Sequence, residues 1–413
     1  MLLKFSVSNY LSINDKQTLE LVASNSDKTS LKRHLREYKN YKLNALRTAA
    51  IFGPNASGKT NIIKAIKFMK DFINFSSKNT PTSSINAVPF KFSETDNKIS
   101  SFEAEFIVKE IMYTYGFEID NKRVHKEWLY YYPKNYRRVI FERDENQQEK
   151  YKFGSDLKGS PKTVSNMTKP NSLFLSMLST MNEEISKDIF VFFNPSQILN
   201  EDDFINTVIT KSALSKYLNN DESKFKLIKY LAEADFGIKD IKIEKNYGNI
   251  PIEPPFENES KKDDAEIVKY LSELFSEQMK FLHTHNNISK YLDASEESSG
   301  TIRFLDLLPQ FLDNKGITLI DELETSLHPS LLKYLLNLYY NIFPESQLIF
   351  TSQNSDLLDT RLLRRDEIYF TEKQEKGNTC LFSLDDIKPK PRLNDNIKMR
   401  YLYGQYGAIP NID

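Results

Sequence analysis

Gly53-Pro54-Asn55-Ala56-Ser57-Gly58-Lys59-Thr60 is a complete G-x-x-x-x-G-K-[ST] pattern, and each fixed position has a physical task. The two glycines let the backbone turn tightly enough for several N–H groups to converge on phosphate oxygens. Lys59 has the reach for β- and γ-phosphates, and the Thr60 hydroxyl suits Mg²⁺. Chance alone produces the pattern in about one window in thirty thousand. Upstream, Ala49-Ala50-Ile51-Phe52 reads as a short buried strand. Downstream, Ile62, Ile63, Ile66 and Met69 recur at helical spacing. The loop therefore lies between a strand and a helix N-terminus, where an anion is favoured. All eight residues are assigned to a nucleoside triphosphate, and Thr60 also to the metal.

A second stretch narrows the class. Gly316-Ile317-Thr318-Leu319-Ile320-Asp321-Glu322 is an apolar run ending in two carboxylates, the pattern of a buried strand that delivers acids to the sheet edge beside the phosphate loop. Asp321 is expected to hold Mg²⁺ through water, and Glu322 to orient or deprotonate the attacking water. Ser326-Leu327-His328-Pro329 follows, then a further apolar strand, Gln347-Leu348-Ile349-Phe350-Thr351. Upstream, Glu296-Glu297-Ser298-Ser299-Gly300-Thr301 precedes a helical pattern carrying Ile302, Leu305, Leu307 and Leu308. The Ser298 hydroxyl, the Gly300 N–H and the helix dipole would together make an anion site; a bare Ser-Ser-Gly is also what an ordinary helix N-cap looks like.

On these motifs the chain resembles ABC-type ATPases, specifically their RecF/OLD/SMC-like branch, and the resemblance implies an α/β P-loop NTPase fold. It would have a two-lobed mixed sheet, an antiparallel β subdomain and a helical insert. In that family an S-x-G signature of one subunit closes on the γ-phosphate held by another. ATP and Mg²⁺ are thus the implied ligands, with Ser298, Ser299 and Gly300 facing the ATP of a head-to-tail homodimer or a higher homo-oligomer. Many such ATPases carry a histidine at the switch position after the last strand; here Gln353 takes that place, and an amide can donate but not carry charge, so slow turnover is expected. No glutamine is assigned to the Mg²⁺-contacting Q-loop. His328 is read as a contact to the partner subunit.

The resemblance extends to Pro89-Phe90-Lys91-Phe92, to Asn171-Ser172-Leu173-Phe174-Leu175-Ser176, to Ala234-Asp235-Phe236-Gly237-Ile238, and to Tyr401-Leu402-Tyr403-Gly404-Gln405-Tyr406-Gly407-Ala408-Ile409-Pro410. These look like a bacterial subfamily found in antiviral defence loci, including ATPase subunits of PARIS, Septu and Rlo-type systems. It implies a partner effector nuclease of TOPRIM or HNH type encoded nearby, with DNA or a phage protein as further ligands. The alternatives are a RecF-like DNA-repair ATPase and a non-hydrolysing, ATP-dependent scaffold.

Composition bounds these readings. With 413 residues, 39% hydrophobic and 27% charged, the chain suits a soluble protein of two or three lobes. No window approaches the roughly 20 apolar residues of a membrane span, and a single cysteine, Cys380, fits a reducing cytoplasm. The expected parts are a first ATPase lobe at 1–180, a helical insert or lid at 181–286 with a loop from Asn246 to Asp264, and a second ATPase lobe at 287–413. No heptad repeat persists through the insert. No TOPRIM acid cluster or H-N-H cluster is found, so cleavage is assigned to another protein. Two basic stretches, Asp27 to Arg47 and Trp128 to Arg138, read either as nucleic-acid contacts or as solvated loops beside aromatic strands. His283 and His285 share a strand face but lack a third metal ligand.

Overall fold

The computed structural model describes residues 1–25, 27, 31–93, 98–180, 184–193, 198–199, 214–245, 277–313, 316–342, 344–392 and 395–410. Two compact units divide the chain. One is Met1–Ile198, Asn314–Leu323 and Tyr340–Asp413, and the other is Leu199–Asp313 and Glu324–Tyr339. The three-part division drawn from the sequence cuts the chain elsewhere.

The first unit has the expected α/β architecture, an antiparallel β subdomain beside a mostly parallel sheet. Seven antiparallel strands run in the order Tyr151–Phe153, Arg138–Asp144, Val124–Tyr131, Ile111–Ile119, Ser100–Val108, Leu2–Ser8 and Gln17–Glu20. Alternation explains them: Phe102, Ala104 and Phe106 are buried while Glu103 and Glu105 between them are half-exposed. The second sheet runs Ile198–Leu199, Ile317–Ile320, Gln347–Ser352, Thr48–Phe52, Ile368–Lys373, Thr379–Ser383. Ile317–Ile320, Gln347–Ser352, Thr48–Phe52 and Ile368–Lys373 pair in parallel, and Thr379–Ser383 is antiparallel to its neighbour. Thr48–Phe52, Ile317–Ile320 and Gln347–Ser352 are buried throughout, as strands covered on both faces must be. Being parallel, all four deliver their C-terminal ends to one edge, where an α/β protein places its ligand.

The helix Lys59–Phe75 follows the phosphate loop and packs into one apolar cluster with both sheets. Its Ile62, Ile63, Ile66, Met69 and Ile73 join Phe102, Phe106 and Phe117 of the antiparallel sheet and Ile51, Leu319 and Ile349 of the other. Gln347 adds a polar tie, its Nε2 donating to the carbonyls of Leu2 and Leu46 at 2.8 Å each.

Midway along this helix the apolar rule is broken. Lys70 is buried, and its Nζ makes no hydrogen bond among the described residues. Burial lowers its pKa from 10.5 to about 7, because desolvation penalises the charged form. Between those values the unfolded chain binds a proton that the folded chain does not, so stability rises with pH across that window and is flat below it. The expected result is that Lys70→Met melts several degrees higher near pH 6 and that its advantage shrinks toward pH 10. At 1.36 kcal/mol per unit the full effect is no more than ~5 kcal/mol. Parallel melting curves for the two chains from pH 6 to 10 would refute this account.

The second unit, by itself, contains the helix Asp221–Glu233, the helix Ser299–Asp313, most of the helix Pro329–Ile342, and a three-stranded antiparallel sheet in the order Ile238–Lys245, Glu277–His285, Ile288–Asp293. Phe304 centres its core, with ring centroids 5.1 Å from Phe236 and 6.1 Å from Tyr334. The helical insert expected at 181–286 is therefore only partly helical among the described residues. The first strand of that sheet carries a bulge, its register shifting between Ile238 and Asp240, so the buried residues Ile238 and Ile241 sit three apart. The expected loop from Asn246 to Asp264 lies outside the described residues.

Candidate nucleotide site

The strand Thr48–Phe52 hands the chain to the loop Gly53–Thr60. Gly53 has φ +153 and Gly58 has φ +103, a region that side chains disfavour. Space forbids them as well. A Cβ on Gly53 would lie 2.4 Å from the Thr371 carbonyl oxygen, and one on Gly58 would lie 1.9 Å from Thr379 Oγ1. Both glycines are thus dictated by strands more than three hundred residues later. The same strands seat the loop through hydroxyls. Ser57 Oγ and Thr371 Oγ1 are 2.7 Å apart, Thr379 Oγ1 donates to the Ser57 carbonyl at 2.9 Å, and Ser12 Oγ lies 2.7 Å from Thr379 Oγ1. Asn61 Nδ2, in the first helical turn, donates to Ser12 Oγ at 2.6 Å. Lys59 is buried, and its Nζ donates to the Gly53 and Pro54 carbonyls at 2.8 and 3.0 Å.

The acids emerge two strands away. Asp321 follows the strand Ile317–Ile320, and Glu322 turns outward at φ +52, exposed at the same sheet edge. Between this strand and the phosphate-loop strand runs Gln347–Ser352, which brings Gln353 to the acids. Gln353 Nε2 donates to Glu322 Oε1 at 2.9 Å. Thr351, fully buried on that strand, donates to Asp321 Oδ1 at 2.5 Å and accepts the Glu322 N–H at 2.8 Å. The sequence reading gave Thr351 no role. Strand alternation could have found it, since residues two apart share a face and Thr351 precedes Gln353 by two. The seat formed by Ser12, Thr371 and Thr379 carries no comparable local signal.

In the second unit, Ser298 caps the helix Ser299–Asp313, its Oγ accepting the Thr301 N–H at 3.0 Å and lying 2.8 Å from Thr301 Oγ1. Gly300 is required there, because a Cβ would meet the Ser326 carbonyl oxygen at 2.9 Å. The loop after the acids is thereby packed onto the Ser298–Gly300 turn. His328 Nδ1 accepts the Ser330 N–H at 3.2 Å in the turn before the helix Pro329–Ile342. His283 Nε2 lies 2.6 Å from Glu297 Oε1. His283 is thus committed to a carboxylate beside the Ser298 turn.

Of the two basic stretches, the first is in part core. Arg47 is buried and donates to the carbonyls of Arg33 and Tyr340 at 2.5 and 3.2 Å. His34 stacks on Tyr340 with centroids 3.5 Å apart, and burial holds its pKa near 3. Arg36 lies within 4.0 Å of Glu110 and Glu345, and Lys28 lies outside the described residues. The second stretch is interleaved with acids. Trp128 Nε1 donates to Glu103 at 3.2 Å, Tyr130 to Glu142 at 2.8 Å, and Arg138 pairs with Asp156 at 3.3 Å. Arg137 stacks over the Tyr130 ring at 3.7 Å. These pairings favour aromatic strands with solvated tips over a phosphate-binding face.

Comparison with known proteins adds three findings. The family model described as "AAA domain, putative AbiEii toxin, Type IV TA system" matches residues 49–359. No curated protein matches the chain. Among solved structures, the chain is similar to an SMC head domain from Thermotoga maritima, at 12% identity and TM-score 0.42 over 92% of this chain and 98% of that one. It is also similar to an Smc head bound to the C-winged helix domain of ScpA, at 13% identity and TM-score 0.42 over 93% and 98%. A third is a Pyrococcus furiosus Smc head domain with an extended coiled coil, bound to the C-terminal domain of ScpA, at 13% identity and TM-score 0.40 over 98% and 99%.

Proposed function

The chain belongs to the AAA-domain family described as putative AbiEii toxin of type IV toxin–antitoxin systems, and on that footing we propose that it is an ATPase whose subunits close head-to-tail on ATP and thereby hold or release a nuclease effector in antiphage defence. The observation that carries the reading is the sheet order, which sets the phosphate loop, Asp321, Glu322 and Gln353 on adjacent strands of one edge. Gly53–Thr60 would wrap the phosphates with backbone N–H groups. The Thr60 hydroxyl and the Asp321 carboxylate are hard oxygen donors that suit Mg²⁺, and they would hold the ion, which supplies charge neutralisation on the phosphates. Glu322 would orient and deprotonate the attacking water. Gln353, already bonded to Glu322, would report the γ-phosphate to that base. Ser298, Ser299 and Gly300 of a second copy would complete the site, since a capped 15-residue helix presents N–H groups and a positive dipole end to an anion.

The regulatory half of the proposal is supported by the toxin–antitoxin description of the family and by the resemblance of the C-terminal Tyr401–Pro410 stretch to defence ATPases. Native mass spectrometry of a tagged Glu322→Gln chain, co-expressed with its genomic neighbours and kept in ATP, tests it. A defined complex with a neighbouring nuclease is the expected result. A bare dimer that acquires only DNA would replace this reading with a DNA-repair ATPase.

A further inference from the structure

Thr351 is hydrogen-bonded to both acids. A hydroxyl has one proton and can accept, and here each capacity has a defined partner. The Glu322 N–H donates into Oγ1 at 2.8 Å, so the hydroxyl proton is directed to Asp321 Oδ1 at 2.5 Å. The Thr351 carbonyl accepts the next amide in line, Leu323 N–H, at 3.0 Å. Three consecutive residues, Asp321, Glu322 and Leu323, are therefore tied to one residue of the neighbouring strand. The middle one is held in the left-handed region at φ +52, a conformation that costs a non-glycine residue of order 1 kcal/mol or more and persists only where its surroundings over-determine it. Two residues further along, Gln353 holds the Glu322 side chain at 2.9 Å. One strand end thus controls the pair twice, through the backbone at Thr351 and through the carboxylate at Gln353.

We infer that Thr351 is a positioning residue for Mg²⁺-ATP: its hydroxyl orients the Asp321 carboxylate by occupying one oxygen, and sets the backbone turn that aims Glu322. This rests on the ATPase reading above. Both acids depend on the same proton-ordered hydroxyl, so its loss should disturb metal-linked nucleotide binding and turnover together. Nucleotide binding without metal, which the loop Gly53–Thr60 supplies from another strand, should stay intact. A merely structural threonine would weaken all three alike.

The test compares Thr351→Val, Thr351→Ala and Thr351→Ser with the native chain, by steady-state phosphate release and by equilibrium binding of a fluorescent ATP analogue with Mg²⁺ and in excess chelator. For the two chains without the hydroxyl, kcat is expected to fall about 10- to 100-fold, the worth of a hydrogen bond to a charged acceptor. Their Mg²⁺ requirement should rise while chelator-state affinity stays within about 2-fold. Thr351→Ser should restore both. Unchanged kcat and Mg²⁺ requirement in Thr351→Val would overturn the inference. So would failure of serine to rescue, or loss of metal-free binding in both hydroxyl-less chains, which would make Thr351 a folding element. A native chain that neither binds nor hydrolyses ATP would instead sink the ATPase reading, and that is read independently of any Thr351 variant.

Discussion

Glu322→Gln is expected to bind ATP as the native chain does and to hydrolyse it about 10²- to 10⁴-fold more slowly, the range for removing a general base. The substitution keeps size and shape but takes away the oxygen charge that would accept the water's proton. The Glu322 side chain is bonded to Gln353 and its N–H to Thr351, both on the neighbouring strand, whereas the phosphates would be wrapped by the loop Gly53–Thr60. Nucleotide affinity and turnover should therefore separate, and an ATP-locked assembly should accumulate. Phosphate release measured beside equilibrium nucleotide binding decides the matter. Turnover at the native rate would remove Glu322 from the chemistry and shift attention to other groups at the sheet edge.

Lys59→Ala is expected to lose ATP, with affinity falling by about 10²-fold or more as charge-assisted contacts to the phosphates disappear. Lys59 is buried at the first residue of the helix Lys59–Phe75 and bridges the Gly53 and Pro54 carbonyls. It therefore has a second effect, since without it the loop loses the two bonds that draw its start toward the helix. The seat made by Ser57, Thr371 and Thr379 remains, so the chain should still fold, and a single cooperative melting transition without ligand would confirm this. Isothermal titration with Mg²⁺-ATP reads the affinity. Retained ATP-dependent assembly by this variant would contradict the site as drawn.

The strand, loop and helix around Gly53–Thr60 and the acid-tipped strand were legible because they are local. A phosphate loop is eight consecutive residues, and an acid-tipped apolar run announces its own strand. The placement of Gln353 beside Glu322 needed one thing more, the order of strands, which no local pattern encodes. Ile238–Lys245 is a strand inside the stretch expected to be helical, and its register shift leaves it without the strict alternation that marks a strand. Arg47 was misread for another reason. It was grouped with the charges that precede it, although Ala45-Leu46 before it and Thr48-Ala49-Ala50 after it belong to a buried run. A cation inside such a run is more often satisfied by backbone carbonyls than offered to solvent. The compact units interleave, with 314–323 and 340–413 returning to the first, and a left-to-right reading of domains has no means to detect a return.

The hydroxyl seat of the phosphate loop has a consequence for how the protein is made. Ser57 meets Thr371 across 314 residues and Thr379 across 322, and the strand beside the loop is supplied by Gln347–Ser352. The loop leaves the ribosome 314 to 322 residues before its support. Such long-separated pairings are the slow part of folding, and domains emerge in order during synthesis. A nascent or prematurely ended chain therefore carries the whole phosphate-binding motif without the strands that shape it. The loop takes its native shape only once Thr371 and Thr379 have been made and have paired with Ser57.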